Sequence, residues 1–157
     1  MDMKLTHGVI ILVITASMFS VCMSRKDLSF DSSERWEPRE IVVGGSENWR
    51  FGYNYTDWAI KNVPYYAGDT LVFKYDAPSA KTFPHNVYKL KDAERFAKCD
   101  FKNAKLLADT TEGAGKGFKY VLKKYKPHFF ACGIKDGFHY NNGTMKFVVT
   151  PTRRIAS

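Results

Sequence analysis

The chain has 157 residues and a formal net charge of +8. This length suits one domain with a hydrophobic core, and the absence of internal repeats and low-complexity tracts excludes a repeat or fibrous protein. The excess of lysine and arginine predicts attraction to acidic surfaces. The lysines are scattered along the chain rather than gathered in one run, so a solvated cationic surface explains the composition equally well.

The first predicted element is an export signal. The segment Gly8–Ser20 is almost wholly apolar, and charge returns at Arg25. This run is too short to span a bilayer comfortably but is typical of a signal-peptide core, and small residues near position 24 suit cleavage. We therefore predict a signal peptide over residues 1–24 and a secreted, extracellular protein. An uncleaved N-terminal anchor is the alternative.

Residues 25–39 are polar and predict a flexible leader ahead of one domain over residues 40–151. Short strands are predicted at Glu40–Gly45, Thr70–Tyr75, His85–Leu90, Lys105–Asp109, Phe118–Lys123, Phe129–Cys132 and Met145–Thr150. A short helix is expected over Lys91–Ala97 and a single helical turn over Asp57–Asn62. Closely spaced strands with little helix predict an all-β Greek-key sandwich or small barrel. Residues 152–157 form a short tail without a glycolipid-anchor signal.

A cysteine, a histidine and a methionine lie within fourteen residues of the C-terminal region: Cys132, His139 and Met145. Ligands of this softness on a loop between strands favour copper. An upstream histidine, His85, would complete a type-1 set of one thiolate, two imidazoles and a weak axial thioether. The function that follows is one-electron transfer. The sequence offers no plausible pair of nucleophile and base, so we do not expect an enzyme.

Two further features concern the same loop. The aromatic residues Phe138 and Tyr140 flank His139 and would supply a docking patch for a redox partner. The sequence also contains glycosylation acceptor motifs at Asn54 and Asn142, the second of them on the loop.

The cysteines allow a second interpretation. Cys22 leaves with the predicted signal peptide, so Cys99 and Cys132 remain. Two cysteines in an oxidising compartment normally form a disulfide. A Cys99–Cys132 bridge would consume the thiolate that copper needs, so the disulfide and the copper site exclude each other.

The chain resembles the phytocyanins, the plant blue copper proteins that include plantacyanin, stellacyanin and uclacyanin. The resemblance spans about residues 40–151. It rests together on Gly68–Phe73 (GDTLVF), His85–Val87 (HNV), Lys126–Gly133 (KPHFFACG) and Gly143–Phe147 (GTMKF). It implies a cupredoxin-like fold, secretion, and one copper ion held by His85, Cys132 and His139, with Met145 as the nearest match to the axial ligand.

Two departures from the family pattern favour a different function. Six residues separate Cys132 from His139 and five separate His139 from Met145, both more than the family commonly has. Tyr140 stands where the family has a disulfide cysteine, which leaves Cys99 without its usual partner. The alternative is therefore a copper-free, early nodulin-like protein of the same fold that binds cell-wall polysaccharide or another extracellular partner.

For partners we expect either a redox partner or an acidic cell-wall polysaccharide. Nucleic acid is not expected, because a secreted chain seldom meets it. We expect a monomer, and peripheral association with an anionic membrane remains a further option.

Overall fold

The structure, a computed structural model, describes residues 37–154. The predicted signal peptide and most of the predicted leader lie outside the described residues. Within the part that is described, no helix is long and apolar enough to cross a membrane.

Seven strands form two sheets in the described residues. The strands are β1 (Glu40–Val42), β2 (Thr70–Phe73), β3 (Val87–Leu90), β4 (Lys105–Ala108), β5 (Phe118–Val121), β6 (His128–Ala131) and β7 (Lys146–Val149). One sheet has the order β1-β2-β5 and the other the order β4-β3-β6-β7. Only the β1–β2 pair is parallel. The predicted all-β architecture of two packed sheets is confirmed.

Aromatic side chains from both sheets fill the space between them. Phe73 on β2 lies 5.5 Å from Phe130 on β6 and 6.0 Å from Phe147 on β7, measured between ring centroids. All three side chains are fully buried. Such ring clusters bury large apolar areas, so they supply much of the free energy that holds the sheets together. The alternation of Phe147 and Val149 with less buried neighbours is the period-two pattern of a strand with one face in the core.

Between residues 37 and 154, three short α-helices and one 3₁₀ turn join the strands. They are α1 (Tyr55–Lys61), α2 (Ala93–Ala97), α3 (Phe138–Asn141) and the turn Gly45–Glu47. Helix α1 starts before the predicted helical turn, because the side chain of Asn54 caps it by accepting a hydrogen bond from the Asp57 N–H at 3.1 Å. Its buried face then carries Tyr55 and Trp58.

A buried carboxylate ties the starts of β1 and β2 together. Asp69 accepts hydrogen bonds from the Arg39 guanidinium at 2.6 Å and from the backbone N–H groups of Arg39 and Tyr66, both at 3.1 Å. Burial raises the pKa of the Asp69 carboxyl, but these hydrogen bonds together outweigh burial and hold the pKa below its usual value. This explains why an aspartate directly precedes β2.

Candidate metal centre

The four predicted ligands come from neighbouring strand ends. His85 precedes β3 by two residues, Cys132 directly follows β6, and Met145 directly precedes β7. These three strands are adjacent and antiparallel, so the start of β3, the end of β6 and the start of β7 meet at one end of the sheet. His139 lies on α3, which the chain forms between β6 and β7.

Three of the predicted ligands converge. The Nδ1 atoms of His85 and His139 lie 3.2 Å apart, and Cys132 Sγ lies 3.5 Å from His139 Nδ1. All three potential ligand atoms lie within 4.8 Å of one another, and all three residues are buried. Ligands at about 2 Å from one metal in a trigonal plane would be roughly 3.5 Å apart. The geometry of this group therefore suits one mononuclear metal ion.

Main-chain hydrogen bonds lock the loop ligands together. The Cys132 N–H donates to the Met145 carbonyl at 3.0 Å, and the Met145 N–H donates to the His139 carbonyl at 3.1 Å. Met145 is fully buried beside both ligands. The role of its thioether as an axial ligand stays a prediction.

The long spacing between Cys132 and His139 is taken up by a turn. Lys135, Asp136 and Gly137 have φ angles of 52°, 50° and 88°, a run of left-handed residues that reverses the chain before α3 begins. The turn brings His139 back over Cys132 although the loop is longer than in the resembled family.

Asn86, which was not among the predicted site residues, stabilises the site through two hydrogen bonds. The Asn86 side-chain oxygen accepts the Gly133 N–H at 2.8 Å, and the Asn86 carbonyl accepts the Trp49 indole N–H at 3.0 Å. Asn86 follows His85 and Gly133 follows Cys132, so the first bond holds two potential ligands in register. The available signal in the sequence was its place inside the His85–Val87 motif, next to His85.

Burial decides the protonation of the three groups. Burial, with a smaller contribution from His139, lowers the pKa of His85 to about 4. Burial and Lys135 also lower the pKa of His139, and burial raises the pKa of the Cys132 thiol. Both imidazoles are thus neutral at neutral pH and can donate a lone pair to a cation, while a bound cation would favour the thiolate. This donor set fits one type-1 copper ion.

The structure does not form the Cys99–Cys132 disulfide that the sequence left open. Both thiols are free. They lie in different apolar clusters: Cys132 belongs to the main core, whereas Cys99 packs with Leu90, Ala131 and Tyr140. The Cys132 sulfur therefore remains available to a metal.

The expected aromatic patch is only partly where it was predicted. Tyr140 is 1% exposed and packs inward, because its hydroxyl donates to the Phe96 carbonyl. Phe138 is 46% exposed and stacks on Phe51 at 5.5 Å, and the Phe51 ring meets His139 edge-on at 5.3 Å. Phe83, near His85 in sequence, is 66% exposed. The apolar surface beside the imidazoles thus consists of Phe51, Phe83 and Phe138, without Tyr140.

The two glycosylation acceptors, Asn54 and Asn142, are both exposed. Asn54 caps α1, and Asn142 directly follows α3. Their modification stays a prediction.

Comparison with known proteins gives the family. The plastocyanin-like domain family matches residues 49–143. Blue copper protein 1a of Medicago truncatula is 33% identical over 111 residues, which cover 69% of this chain and 59% of that protein. The chain therefore spans about three fifths of the length of this relative.

Two solved structures are also similar. Cucumber basic protein, a blue copper protein, is 29% identical with a TM-score of 0.54, and the match covers 72% of this chain and 99% of that one. Cucumber stellacyanin is 23% identical with a TM-score of 0.60, covers 76% of this chain and 100% of its own, and shows the shared fold alone. The chain belongs to the plastocyanin-like family, among the phytocyanins.

Proposed function

We propose that this protein is an exported one-electron carrier with a mononuclear type-1 copper site. The single observation that supports this most strongly is the buried convergence of His85, Cys132 and His139. Copper bound there would supply one-electron redox chemistry. The three side chains and the Met145 thioether would hold it, and the Asn86–Gly133 hydrogen bond would keep two of the ligands from moving as the charge changes.

The surroundings of the site suit electron exchange rather than catalysis. The three donor residues are buried, which limits the access of bulk water to their donor atoms. The exposed rings of Phe83 and Phe138 offer an apolar contact surface close to the imidazoles, where a redox partner could approach. We therefore propose a carrier and not an enzyme.

The copper proposal is tested by colour. The purified protein with Cu(II) is expected to be blue, from an intense charge-transfer band between thiolate and copper. Cys132→Ser should be colourless, whereas the matched control Cys99→Ser should stay blue because the Cys99 thiol belongs to another cluster. A colourless native protein, or a blue Cys132→Ser variant, contradicts the proposal and favours the copper-free alternative.

Export is tested separately. The protein recovered from the medium of a eukaryotic secretion host is expected to begin at Arg25, if residues 1–24 are removed as a signal peptide. Mass spectrometry of the same sample reports whether Asn54 and Asn142 carry glycans. Retention of the full chain in the membrane fraction would support the uncleaved anchor instead.

A further inference from the structure

A lysine-lined cleft lies at the end of β3 and β6 that is opposite the metal centre. The cleft has a volume of about 450 Å³. Its lysines are Lys89, Lys119, Lys123, Lys124 and Lys126. His128, at the start of β6, also lines it, and Cys132 follows the other end of that strand. His128 and Cys132 are four residue steps apart along this extended chain, which corresponds to about 13 Å.

The positive charge of the cleft is largely uncompensated. Lys119 forms an ion pair with Glu40. In the described range 37–154, the other four cleft lysines pair with no carboxylate, and no acidic residue lines the cleft. An anionic ligand would therefore be attracted to the cleft without having to displace an acidic side chain from four of its five lysines.

One of these lysines is held in place by a chain of hydrogen bonds. Lys89 Nζ donates to the Tyr120 hydroxyl at 2.7 Å, and Tyr120 lies 3.1 Å from His128 Nδ1. His128 Nε2 donates to the Lys124 carbonyl at 3.1 Å, which fixes the proton on Nε2 and leaves Nδ1 to accept from Tyr120. His128 is 1% exposed. The Lys89 ammonium is therefore oriented in advance, unlike an ordinary solvated lysine.

The shape and length of the cleft limit the kind of ligand. The cleft lies where the edge strand β5 meets β3 and β6 of the other sheet, and a concave site of this volume suits a segment of a chain rather than a flat lipid surface. Along β5 and the segment after it, Lys119 and Lys123 are about 13 Å apart, which is longer than a single phosphate or carboxylate group. A ligand with carboxylates repeated along its length fits these features.

We propose that this cleft binds a linear acidic polysaccharide through ion pairs between its lysines and successive uronate carboxylates. The proposal is independent of copper, since none of the cleft residues belongs to the metal centre. The net charge predicts attraction to polyanions but not where they bind, and the cleft supplies that location.

The test compares two triple variants that change the net charge equally. Lys123→Glu, Lys124→Glu and Lys126→Glu alter exposed cleft lysines, while Lys61→Glu, Lys81→Glu and Lys116→Glu alter exposed lysines outside the cleft. Neither set disrupts an ion pair of the described residues. The probe is an oligomer of polyuronate, measured by calorimetry near physiological salt. The cleft variant should raise the Kd about tenfold or more, and the control less than about threefold.

The ligand controls separate site-specific from general binding. The same oligomer with its carboxylates methyl-esterified should bind neither the native protein nor the two triple variants. The thermal unfolding midpoints of both variants should match that of the native protein. Equal loss of binding in the two triple variants, or equal binding of the esterified oligomer, overturns the proposal. Cleft-dependent binding to phosphatidylserine vesicles without binding to the polyuronate also overturns it, in favour of a membrane.

Discussion

The hydroxyl of Tyr140 donates a hydrogen bond to the backbone carbonyl of Phe96, which joins α3 to α2. The Tyr140 ring also meets the Phe96 ring edge-on at 5.6 Å. By resemblance, this is the position where phytocyanins carry a disulfide cysteine. A non-covalent link thus connects the two helices here, and it acts on the residue directly after His139.

Tyr140→Phe keeps the ring packing and removes the hydrogen bond. We expect it to lower the free energy of unfolding by about 1 kcal/mol, because the lost bond is partly buried. Urea denaturation of the metal-free protein measures this. Tyr125→Phe is the matched control, since Tyr125 is 56% exposed, and it should leave stability unchanged. Equal effects of the two substitutions would argue against the link.

Gly137 is required for two separable reasons. Its φ is 88°, and a Cβ there would lie 2.5 Å from Cys99 Sγ. Gly137→Ala should therefore cost about 2–3 kcal/mol of stability, from backbone strain plus the clash. Gly52→Ala shares the left-handed backbone, with φ of 83° and open space around it, and should cost only about 1 kcal/mol.

A second background isolates the clash. In a Cys99→Ala protein, Gly137→Ala should cost no more than Gly52→Ala does in the native protein, because the opposing sulfur is gone. A cost that is unchanged by Cys99→Ala would mean that Cys99 does not confine Gly137.

Met145→Leu tests the predicted axial ligand. The two side chains are similar in volume, so the fold should survive with a loss below about 1.5 kcal/mol. If the thioether contacts copper, the blue band should persist while the electron paramagnetic resonance spectrum and the reduction potential change. Spectra and potential that match the native protein would exclude Met145 as a ligand.

Asp69→Asn should make the free energy of unfolding less dependent on pH in the acid range. The native pKa of Asp69 lies below its ordinary value, so its ionised form stabilises the fold above about pH 4, and this contribution is lost as pH falls through the lowered pKa. We expect the variant to be less stable by about 2 kcal/mol at pH 7. The difference should shrink towards pH 2 in denaturation curves collected across this range. A constant difference would contradict the ionised assignment.

The strands were predictable because their sequences either alternate apolar and polar residues or form short apolar runs between turns, as in β7 and β2. The residues at which the strands begin and end were less predictable. His85–Leu90 was predicted as one strand, but β3 begins at Val87, because the Asn86 carbonyl bonds the Trp49 indole and its side chain bonds Gly133. These contacts between distant residues leave no mark on local sequence.

The candidate ligands were identifiable because histidine, cysteine and methionine are few and chemically distinctive. Helix α3 was not predicted, since it has four residues and no side-chain cap, and it is held by the packing of His139 and Tyr140. Counting cysteines could not decide between a bridge and free thiols. Whether the two cysteines form a disulfide depends on the apolar cluster in which each thiol lies, and these clusters form only when the chain folds.

Strand β6 has a lysine-lined cleft at its first residue and a metal centre just past its last. A protein held to a fixed polyanion by the cleft would keep its imidazole end turned away from the anchor. The protein would then stay in one place, and redox partners would have to diffuse to its surface at Phe83 and Phe138. The distance over which it exchanges electrons would depend on the diffusion of these partners and not on its own.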